Sequence, residues 1–227
     1  MYNENKIIAD TANTLHKYMT ERFGDDFEIL FSNDGSRDGC DKTVSELGLS
    51  NVRVVGYEKN RGKGCAVRHA ILESRGDIVM FTDADLAYGV EVIGEAYDIM
   101  EKEGCDMLVG SRTLHKEGYA GYTLIRKIAS KTYIKFLSVV GGFKLSDSQC
   151  GFKAFRHDLA QKVFSLCETD GFAFDLEAIL IANKMKAKTY EMPVKIINHR
   201  ESKVNVFSDA IRMLKETRRI KKRVKKL

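Results

Sequence analysis

The 227-residue sequence has one proline, no tryptophan and only five cysteines. The cysteines are widely spaced, odd in number and without a CxxC pair, so they predict reduced thiols rather than disulfides or a zinc site. No apolar run approaches the roughly 18 residues needed to span a bilayer. The first residues lack the basic and apolar regions of a signal peptide. We therefore expect a cytoplasmic protein without a spanning helix.

Excess positive charge is confined to the C-terminus. Residues 212–227 contain nine basic residues and one acid, a net charge of +8, whereas the other 211 residues contain 28 basic and 31 acidic side chains, a net charge of −3. Apolar residues make up 44% of the chain and charged residues 30%, which is typical of a folded globular protein. The sequence thus predicts a mildly acidic body with a cationic C-terminal segment.

Short apolar runs alternate with helical patterns in the first half of the chain. The runs are rich in β-branched and aromatic residues, as expected of buried parallel strands, and lie at 27–33, 52–57, 77–83 and 106–111. Helical patterns lie near 5–20, 40–47, 63–74 and 91–103. This alternation predicts βαβ units and an α/β fold with a mostly parallel sheet flanked by helices.

The second half of the chain has a different pattern. Residues 122–140 place apolar side chains at helical spacing, which predicts an amphipathic helix. A polar loop at 146–151 is followed by helices near 157–166 and 174–185, a strand near 187–197 and a basic amphipathic helix at 205–227. No repeat and no linker rich in Gly, Pro or Ser divides the sequence, so we expect one domain over 1–227.

Polar clusters follow four of the predicted strands, and the sharpest is Asp83-Ala84-Asp85. Ligands of open α/β sheets bind at the carboxyl ends of the strands, where these clusters lie. Alternate residues of an extended segment point the same way, so Asp83 and Asp85 can share one cation. Carboxylate oxygens are the ligands that Mg²⁺ and Mn²⁺ prefer. The pattern predicts a site for a divalent metal and a diphosphate.

The glycine-rich segment NRGKG at 60–64 is expected to open a helix. Free backbone N–H groups at such a helix start, together with Arg61 and Lys63, can face a phosphate. The segment matches neither the Walker pattern nor GxGxxG, which argues against a P-loop NTPase and a dinucleotide-dependent dehydrogenase.

Seven motifs occur in an order that resembles one family. They are Tyr2-Asn3-Glu4, NDGSRDG (33–39), NRGKGCAVRHA (60–70), TDADLA (82–87), GSR (110–112), SDSQCGFKAF (146–155) and GFAFDLE (171–177). Together they resemble family 2 glycosyltransferases of the GT-A fold, most of all the polyprenyl-phosphate sugar synthases of the dolichyl-phosphate glucose and mannose synthase type. The resemblance reaches to residues 202–204, and the segments at 146–155 and 171–177 look more like the glucosyl branch.

The resemblance implies a role for each matching residue. Tyr2, Glu4 and Asp34 would frame the nucleotide base and ribose, with Lys63 nearby. Asp83 would contact the ribose or metal-bound water, and Asp85 would be the main metal ligand. Arg112 would approach phosphates, and the loop of Asp147 would form the acceptor side. Asp175 matches the family's acidic position at a helix start. Arg200 and Lys203 would bind the diphosphate, with His199 a possible extra contact.

The implied reaction is inverting transfer of a hexose, glucose in the first instance, from a UDP-sugar or alternatively a GDP-sugar. A divalent metal and cations stabilise the departing diphosphate. A hydroxyl acceptor needs a general base, whereas a phosphate monoester, with a second pKa of about 6, is already largely dianionic at neutral pH. With a polyprenyl phosphate acceptor, Asp147 and Asp175 would position groups rather than abstract a proton. Otherwise Asp175 could be an N-cap, and Asp147 could order its loop.

The final helix has an apolar stripe and nine basic residues. Its stripe consists of Phe207, Ile211, Leu214, Ile220, Val224 and Leu227. Such a helix can lie on an anionic membrane, each basic residue contributing about 1 kcal/mol; alternatively, the stripe packs on the body. No stacking aromatics accompany the basic residues, which argues against nucleic acid. We expect peripheral attachment to the cytoplasmic membrane face and allow for a homo-oligomer.

One departure from the family concerns the start of the chain. The family places an apolar strand before the Tyr2 motif, whereas Met1 stands directly before Tyr2 here. Such a strand would be central, and without it sheet edges would be exposed. A late start of the sequence relative to the natural protein is the explanation that we expect. Two other functions remain open: a family 2 transferase acting on a saccharide hydroxyl of a surface polysaccharide, and a non-catalytic nucleotide-sugar-binding protein.

Overall fold

A computed structural model describes residues 1–198 and 206–227 of the chain. The helices are α1 (Asn5–Phe23), α2 (Cys40–Glu46), α3 (Lys63–Leu72), α4 (Glu91–Glu103), α5 (Leu124–Gly141), α6 (His157–Leu166), α7 (Phe174–Lys184) and α8 (Val206–Lys226). The strands are β1 (Ile29–Asp34), β2 (Val52–Tyr57), β3 (Ile78–Phe81), β4 (Met107–Ser111), β5 (Lys153–Arg156) and β6 (Thr189–Pro193). The predicted α/β fold is confirmed.

The strands form two sheets. β1 pairs in parallel with β2, and a second sheet has the order β3-β5-β4-β6. β5 runs antiparallel to both of its neighbours, while β4 and β6 are parallel, so three strands of this sheet point the same way. Sequence reasoning did not predict β5, because its four residues follow a polar loop and run directly into α6.

A wide slot separates the two sheets. Among the described residues β1 pairs with only one strand, β2, and β3 with only one strand, β5, so each has an open edge. Both edges line one cavity of about 1590 Å³. Met1 enters this slot: its amino group donates to the carbonyl of Ser32 at 2.6 Å, and its carbonyl accepts from Asp34 N at 3.0 Å. Those two bonds are the parallel β pattern.

The core beside the slot is built around α7. Nine of its eleven residues are buried, among them the carboxylates Asp175 and Glu177, so neighbouring elements cover this helix on every side. It packs with α6, α5 and α8, and β5 contributes Phe155 to the same apolar cluster. Because α7 is buried, Asp175 in its first turn lies inside the domain.

The C-terminal helix α8 lies against the domain. Ile220 and Val224 are buried next to α7, and Arg223 Nη2 donates to the buried carboxylate of Glu177 at 2.5 Å. The described part of the predicted apolar stripe is therefore used mainly for packing, and exposed basic residues lie outside it. Within the described ranges, no helix combines the length and apolar character needed to cross a bilayer.

All five cysteines are buried and unbridged, as predicted. Burial raises the pKa values of the Cys150 and Cys167 thiols above their ordinary range. Both groups therefore stay protonated at neutral pH and act as small apolar side chains.

Candidate active site

The carboxyl ends of β1 and β3 and the start of α3 meet at the large cavity. Most of the predicted donor and metal residues line it: Tyr2, Glu4, Asp34, Lys63, Asp83 and Asp85. The predicted position at strand ends is therefore confirmed for Asp34, Lys63, Asp83 and Asp85, whereas Tyr2 and Glu4 reach the cavity from the segment before α1. Their contacts with a nucleotide stay predictions.

Asp34 is buried at the end of β1 and holds the glycine-rich segment. Its carboxylate accepts from the Tyr57 hydroxyl at 2.7 Å, from Arg61 N at 2.8 Å and from the Asn60 side chain at 2.8 Å. Gly62 N donates to the same carboxylate at 3.0 Å. Burial and this carboxylate raise the pKa of Tyr57 above its usual range, so the hydroxyl stays a donor. Asp34 thereby shapes the cavity wall.

Three backbone N–H groups of the glycine-rich segment are bound within the protein. Gly64 N donates to the carbonyl of Asp170 at 2.8 Å, while Arg61 N and Gly62 N bind Asp34. A side chain at Gly64 would overlap the carbonyl of Thr169, so glycine is required for this close approach. The expectation that N–H groups of this segment are free to face a phosphate is therefore wrong for Arg61, Gly62 and Gly64.

Lys63 is the cation that this segment delivers to the cavity. Its Nζ lies 2.5 Å from Asp83 Oδ1. Burial opposes the charge, but the carboxylates of Asp83 and Asp175 raise the pKa of Lys63 above its ordinary value. Lys63 thus stays charged and fixes the orientation of Asp83.

Asp85 lies in a tight turn after β3. Its Oδ1 accepts from Ala87 N at 3.1 Å, and the Asn198 amide donates to the carbonyls of Asp85 and Leu86 at 3.1 Å each. These bonds fix the turn on which Asp83 and Asp85 lie, so the expectation that the two carboxylates alternate along an extended segment is wrong. They also bring Asn198 beside Asp85; His199, Arg200 and Lys203 lie outside the described residues.

The donor set fits a divalent cation held together with a substrate. In the described chain no group of three or more Asp, Glu, His or Cys residues forms a complete metal site. Two carboxylates supply part of an oxygen shell, and Mg²⁺ or Mn²⁺ sites are commonly completed by phosphate oxygens and water. Asp83 and Asp85 are the residues that would hold the cation.

Arg112, at the end of β4, binds Asp147 inside the domain. Arg112 Nε lies 2.6 Å from Asp147 Oδ2, and Nη2 lies 2.9 Å from Oδ1. Arg112 N also donates to Oδ2 at 3.1 Å. Burial opposes the charge of Arg112, but Asp147 raises its pKa well above the ordinary value. Both oxygens of the buried Asp147 are thus engaged, which fits positioning better than proton abstraction.

The loop at 147–151 joins two sites. At one end Asp147 holds Arg112, and at the other Asp83 Oδ2 occupies the space that a side chain at Gly151 would take. Gly151 N donates to the Tyr88 hydroxyl at 3.2 Å, which anchors this end. The loop thus lies against both the Arg112 site and Asp83.

Asp175 forms a buried ion pair with Lys153 of β5. Lys153 Nζ lies 2.5 Å from Asp175 Oδ1 and donates to the carbonyl of Cys150 at 2.7 Å. Burial raises the pKa of Asp175, while Lys153 and Lys63 counteract this rise. Asp175 lies in the first turn of α7 after Ala173, so it is not the N-cap. Sequence reasoning missed Lys153; a lone lysine between apolar neighbours was the available signal.

Arg112 also lines a second cavity of about 370 Å³. Its cations include Arg112, Lys116, Lys127 and Lys131, with His115 nearby and Glu117 the one acid among its lining residues. Lys131 Nζ lies 5.5 Å from the centre of the Tyr119 ring, and the Arg112 guanidinium lies at the same distance. Such a surface favours an anion.

Three buried polar atoms at these sites lack a hydrogen-bond partner among the described residues. They are Thr82 Oγ1 beside the Asp83 turn and, within the loop at 147–151, Ser148 Oγ and Gln149 Nε2. Buried polar atoms are nearly always paired in folded proteins, so these three are exceptions within the described residues.

The two sheets, with strand ends that bring paired carboxylates and a lysine to one cavity, have the GT-A fold of glycosyltransferases. Solved structures support this fold. Glucosyl-3-phosphoglycerate synthase from Mycobacterium tuberculosis, in complex with Mn²⁺, UDP-glucose and glycerol 3-phosphate, has a TM-score of 0.69 at 18% identity, covering 97% of this chain and 76% of that one. Mannosyl-3-phosphoglycerate synthase from Rubrobacter xylanophilus has a TM-score of 0.63 at 20% identity, covering 97% and 70%.

The family profile "Glycosyl transferase family 2" matches residues 1–164. The chain belongs to this family and is a glycosyltransferase, as its motifs predicted. It is 31% identical to the dolichyl-phosphate beta-glucosyltransferase of Dictyostelium discoideum over 97% of this chain and 71% of that protein. The enzymes of the same name from Saccharomyces cerevisiae and Homo sapiens are 29% and 31% identical, each over 95% of this chain and at least 70% of their own length.

Proposed function

We propose that this enzyme transfers glucose from UDP-glucose to a polyprenyl phosphate, such as dolichyl phosphate, with inversion at the anomeric carbon. Similarity to dolichyl-phosphate beta-glucosyltransferases over nearly the whole chain supports the sugar and the acceptor class. The structurally similar synthase that binds Mn²⁺ and UDP-glucose supports the donor and a divalent metal.

The observation that carries the acceptor class is the chemistry of the second cavity. Arg112 and three lysines line it, while the nearby carboxylate of Asp147 is bound at both oxygens. A hydroxyl acceptor would need a general base, for which a carboxylate is the natural choice, and the one carboxylate among the described lining residues, Glu117, is exposed and lies 3.9 Å from Lys195. A phosphate monoester needs cations and no base, because it is already ionised at neutral pH. The cavity therefore suits a phosphate.

The residues of the two cavities divide the work. Asp83 and Asp85 would hold the divalent cation, which when bound stabilises negative charge on the departing diphosphate. Lys63 orients Asp83 and adds positive charge on the same side. Arg112 and the lysines position the acceptor phosphate, whose oxygen attacks the anomeric carbon as the bond to the diphosphate breaks. The loop at 147–151, which lies between the two cavities, would hold the donor and acceptor sites at a fixed distance from each other.

An acceptor panel tests this proposal. The purified protein is incubated with Mn²⁺ or Mg²⁺, UDP-glucose or GDP-mannose, and a short polyprenyl phosphate, the corresponding alcohol, or an oligosaccharide. We expect a glucosylated lipid phosphate from UDP-glucose only. Asp85→Ala abolishes this product, whereas the exposed Asp10→Ala of α1 does not.

Two results would argue for other functions. Transfer to the oligosaccharide but not to the lipid phosphate would indicate a polysaccharide-type transferase. UDP-glucose binding without transfer to any acceptor would indicate a binding protein without this activity.

A further inference from the structure

One face of α5 presents apolar and basic side chains together. At 3.6 residues per turn, Leu124, Ile128, Lys131, Lys135 and Val139 fall on one side of the helix. The three apolar side chains are 72%, 57% and 74% exposed, respectively, and both lysines are exposed. Single exposed apolar residues are ordinary, but three on one helix face form an apolar patch of the kind that marks an interaction site.

The opposite side of α5 is attached to the domain. Ile134 and Leu137 are buried, and Leu137 belongs to the cluster around α7. The apolar residues of the outer face are therefore not required for the core. Removing them is not expected to unfold the domain.

The lysines indicate which partner this face suits. Lys131 and Lys135 lie between the apolar side chains, so any partner must accept positive charge beside apolar surface. An anionic bilayer meets both demands, since apolar side chains enter the headgroup region while lysines reach lipid phosphates. α8, which packs against α5, adds exposed Arg218, Lys221 and Lys222.

The face is continuous with the second cavity. Lys131 belongs to both, and Lys127, one turn earlier, lines the cavity with Arg112 and Tyr119. A lipid phosphate at the bilayer surface would thus meet cations leading from α5 into the site.

We propose that α5 is the membrane-docking helix of this enzyme, with Leu124, Ile128 and Val139 inserted among lipid headgroups and Lys131 and Lys135 on anionic lipid. The link to the acceptor rests on the proposed function; the docking itself does not. This assigns the apolar contact to α5, because Ile220 and Val224 of α8 are buried in the domain.

Vesicle binding tests the docking directly. The full chain is sedimented with phosphatidylcholine vesicles with and without phosphatidylserine. We expect wild type to bind the anionic vesicles, and Leu124→Ser/Val139→Ser to bind them about tenfold more weakly or less, since two exposed apolar contacts are lost. The matched control Leu72→Ser/Met185→Ser also removes two exposed apolar residues, 42% and 40% exposed, and binds like wild type.

Activity separates this inference from the proposed function. On a short, water-soluble polyprenyl phosphate the Leu124→Ser/Val139→Ser variant keeps the wild-type rate, whereas on a long polyprenyl phosphate in vesicles its rate falls. Vesicle binding that depends on α5 in a protein with no transferase activity would support docking and contradict the function. Equal vesicle binding by wild type and variant overturns the proposal. It is also overturned if wild type does not bind vesicles but forms a dimer that the variant does not form.

Discussion

Arg112 binds both carboxylate oxygens of Asp147 inside the domain, with Nε–Oδ2 at 2.6 Å and Nη2–Oδ1 at 2.9 Å. This geometry makes Asp147 a positioning residue for Arg112 and for the loop that ends at Gly151. Asp147→Asn would leave the Arg112 charge buried without its partner, and we expect a loss of about 3–5 kcal/mol in the free energy of unfolding. Chemical denaturation of the variant measures this loss.

A second variant tests whether Asp147 positions Arg112 or instead accepts a proton from the acceptor. Arg112→Met/Asp147→Leu replaces the pair with apolar side chains, so most of the stability should return, while transfer should be lost because the Arg112 charge that positions the acceptor phosphate is gone. The pH profile of wild-type kcat should show no decrease at acidic pH that comes from protonation of a carboxylate base. Asp147 does not act as we describe if Asp147→Asn is as stable as wild type. The same conclusion follows if wild-type kcat does decrease in this way at acidic pH and the decrease disappears in Asp147→Asn.

The lysine beside Asp83 should control donor affinity more than folding. Lys63→Met removes a charge-assisted contact at the metal and diphosphate side, and we expect the Kd for UDP-glucose with Mn²⁺ to rise about tenfold or more. The side chains of Lys63 and Asp83 are 27% and 37% exposed, so the free energy of unfolding should change by about 1 kcal/mol or less. Calorimetry measures the first quantity, and Lys59→Ala is the exposed control. Unchanged affinity in Lys63→Met would contradict this role.

Gly151 should be irreplaceable because Asp83 Oδ2 fills the space of its missing side chain. We expect Gly151→Ala to displace Asp83 or the loop and to lower kcat/KM about a hundredfold, the cost of a misplacement of about 1 Å. Gly76→Ala, where a Cβ would be 3.5 Å from the nearest carbonyl, is the control. Steady-state kinetics with an unaltered Tm would identify a site effect; wild-type kinetics in Gly151→Ala would show that the contact has no role.

An added strand should fill the slot between β1 and β3. Met1 already pairs with β1 in the parallel pattern, so about six residues fused before Met1, at about 3.3 Å each, would run along this strand. We expect an alternating Val/Ile extension to raise Tm by at least about 2–4 °C, the shift that about 1 kcal/mol gives at this chain length. A Gly/Ser extension of equal length is the control. Equal Tm values for the two extensions would mean that the slot does not accept a strand.

Local sequence patterns predicted most of the elements. The helices at 91–103 and 157–166 and the strand at 52–57 occur at the predicted residues, because their periodicity or β-branched content is strong over the full length. β5 was missed because four residues show no periodicity and because Lys153 interrupts the apolar run. Only pairing with β3 and β4 makes that segment a strand.

The sequence predicted the part of the site that lies at the ends of strands. Asp34, Asp83 and Asp85 share a cavity because β1 and β3 border the slot between the two sheets and both end there. The pairs Arg112–Asp147 and Lys153–Asp175 depend on how the loop at 147–151 and α7 pack, which no spacing in the sequence encodes. The use of the 60–64 backbone by Asp34 and Asp170 escaped prediction for the same reason.

The most direct test compares one lipid with and without its phosphate. Initial rates of glucose transfer from UDP-glucose are measured on a short polyprenyl phosphate and on the corresponding polyprenyl alcohol, with Mn²⁺ present. Transfer to the phosphate alone, lost in Asp85→Ala, is the result that our account predicts. Transfer to the alcohol at an equal or higher rate would contradict it, because the site would then have to supply a base that the bound carboxylate of Asp147 does not provide.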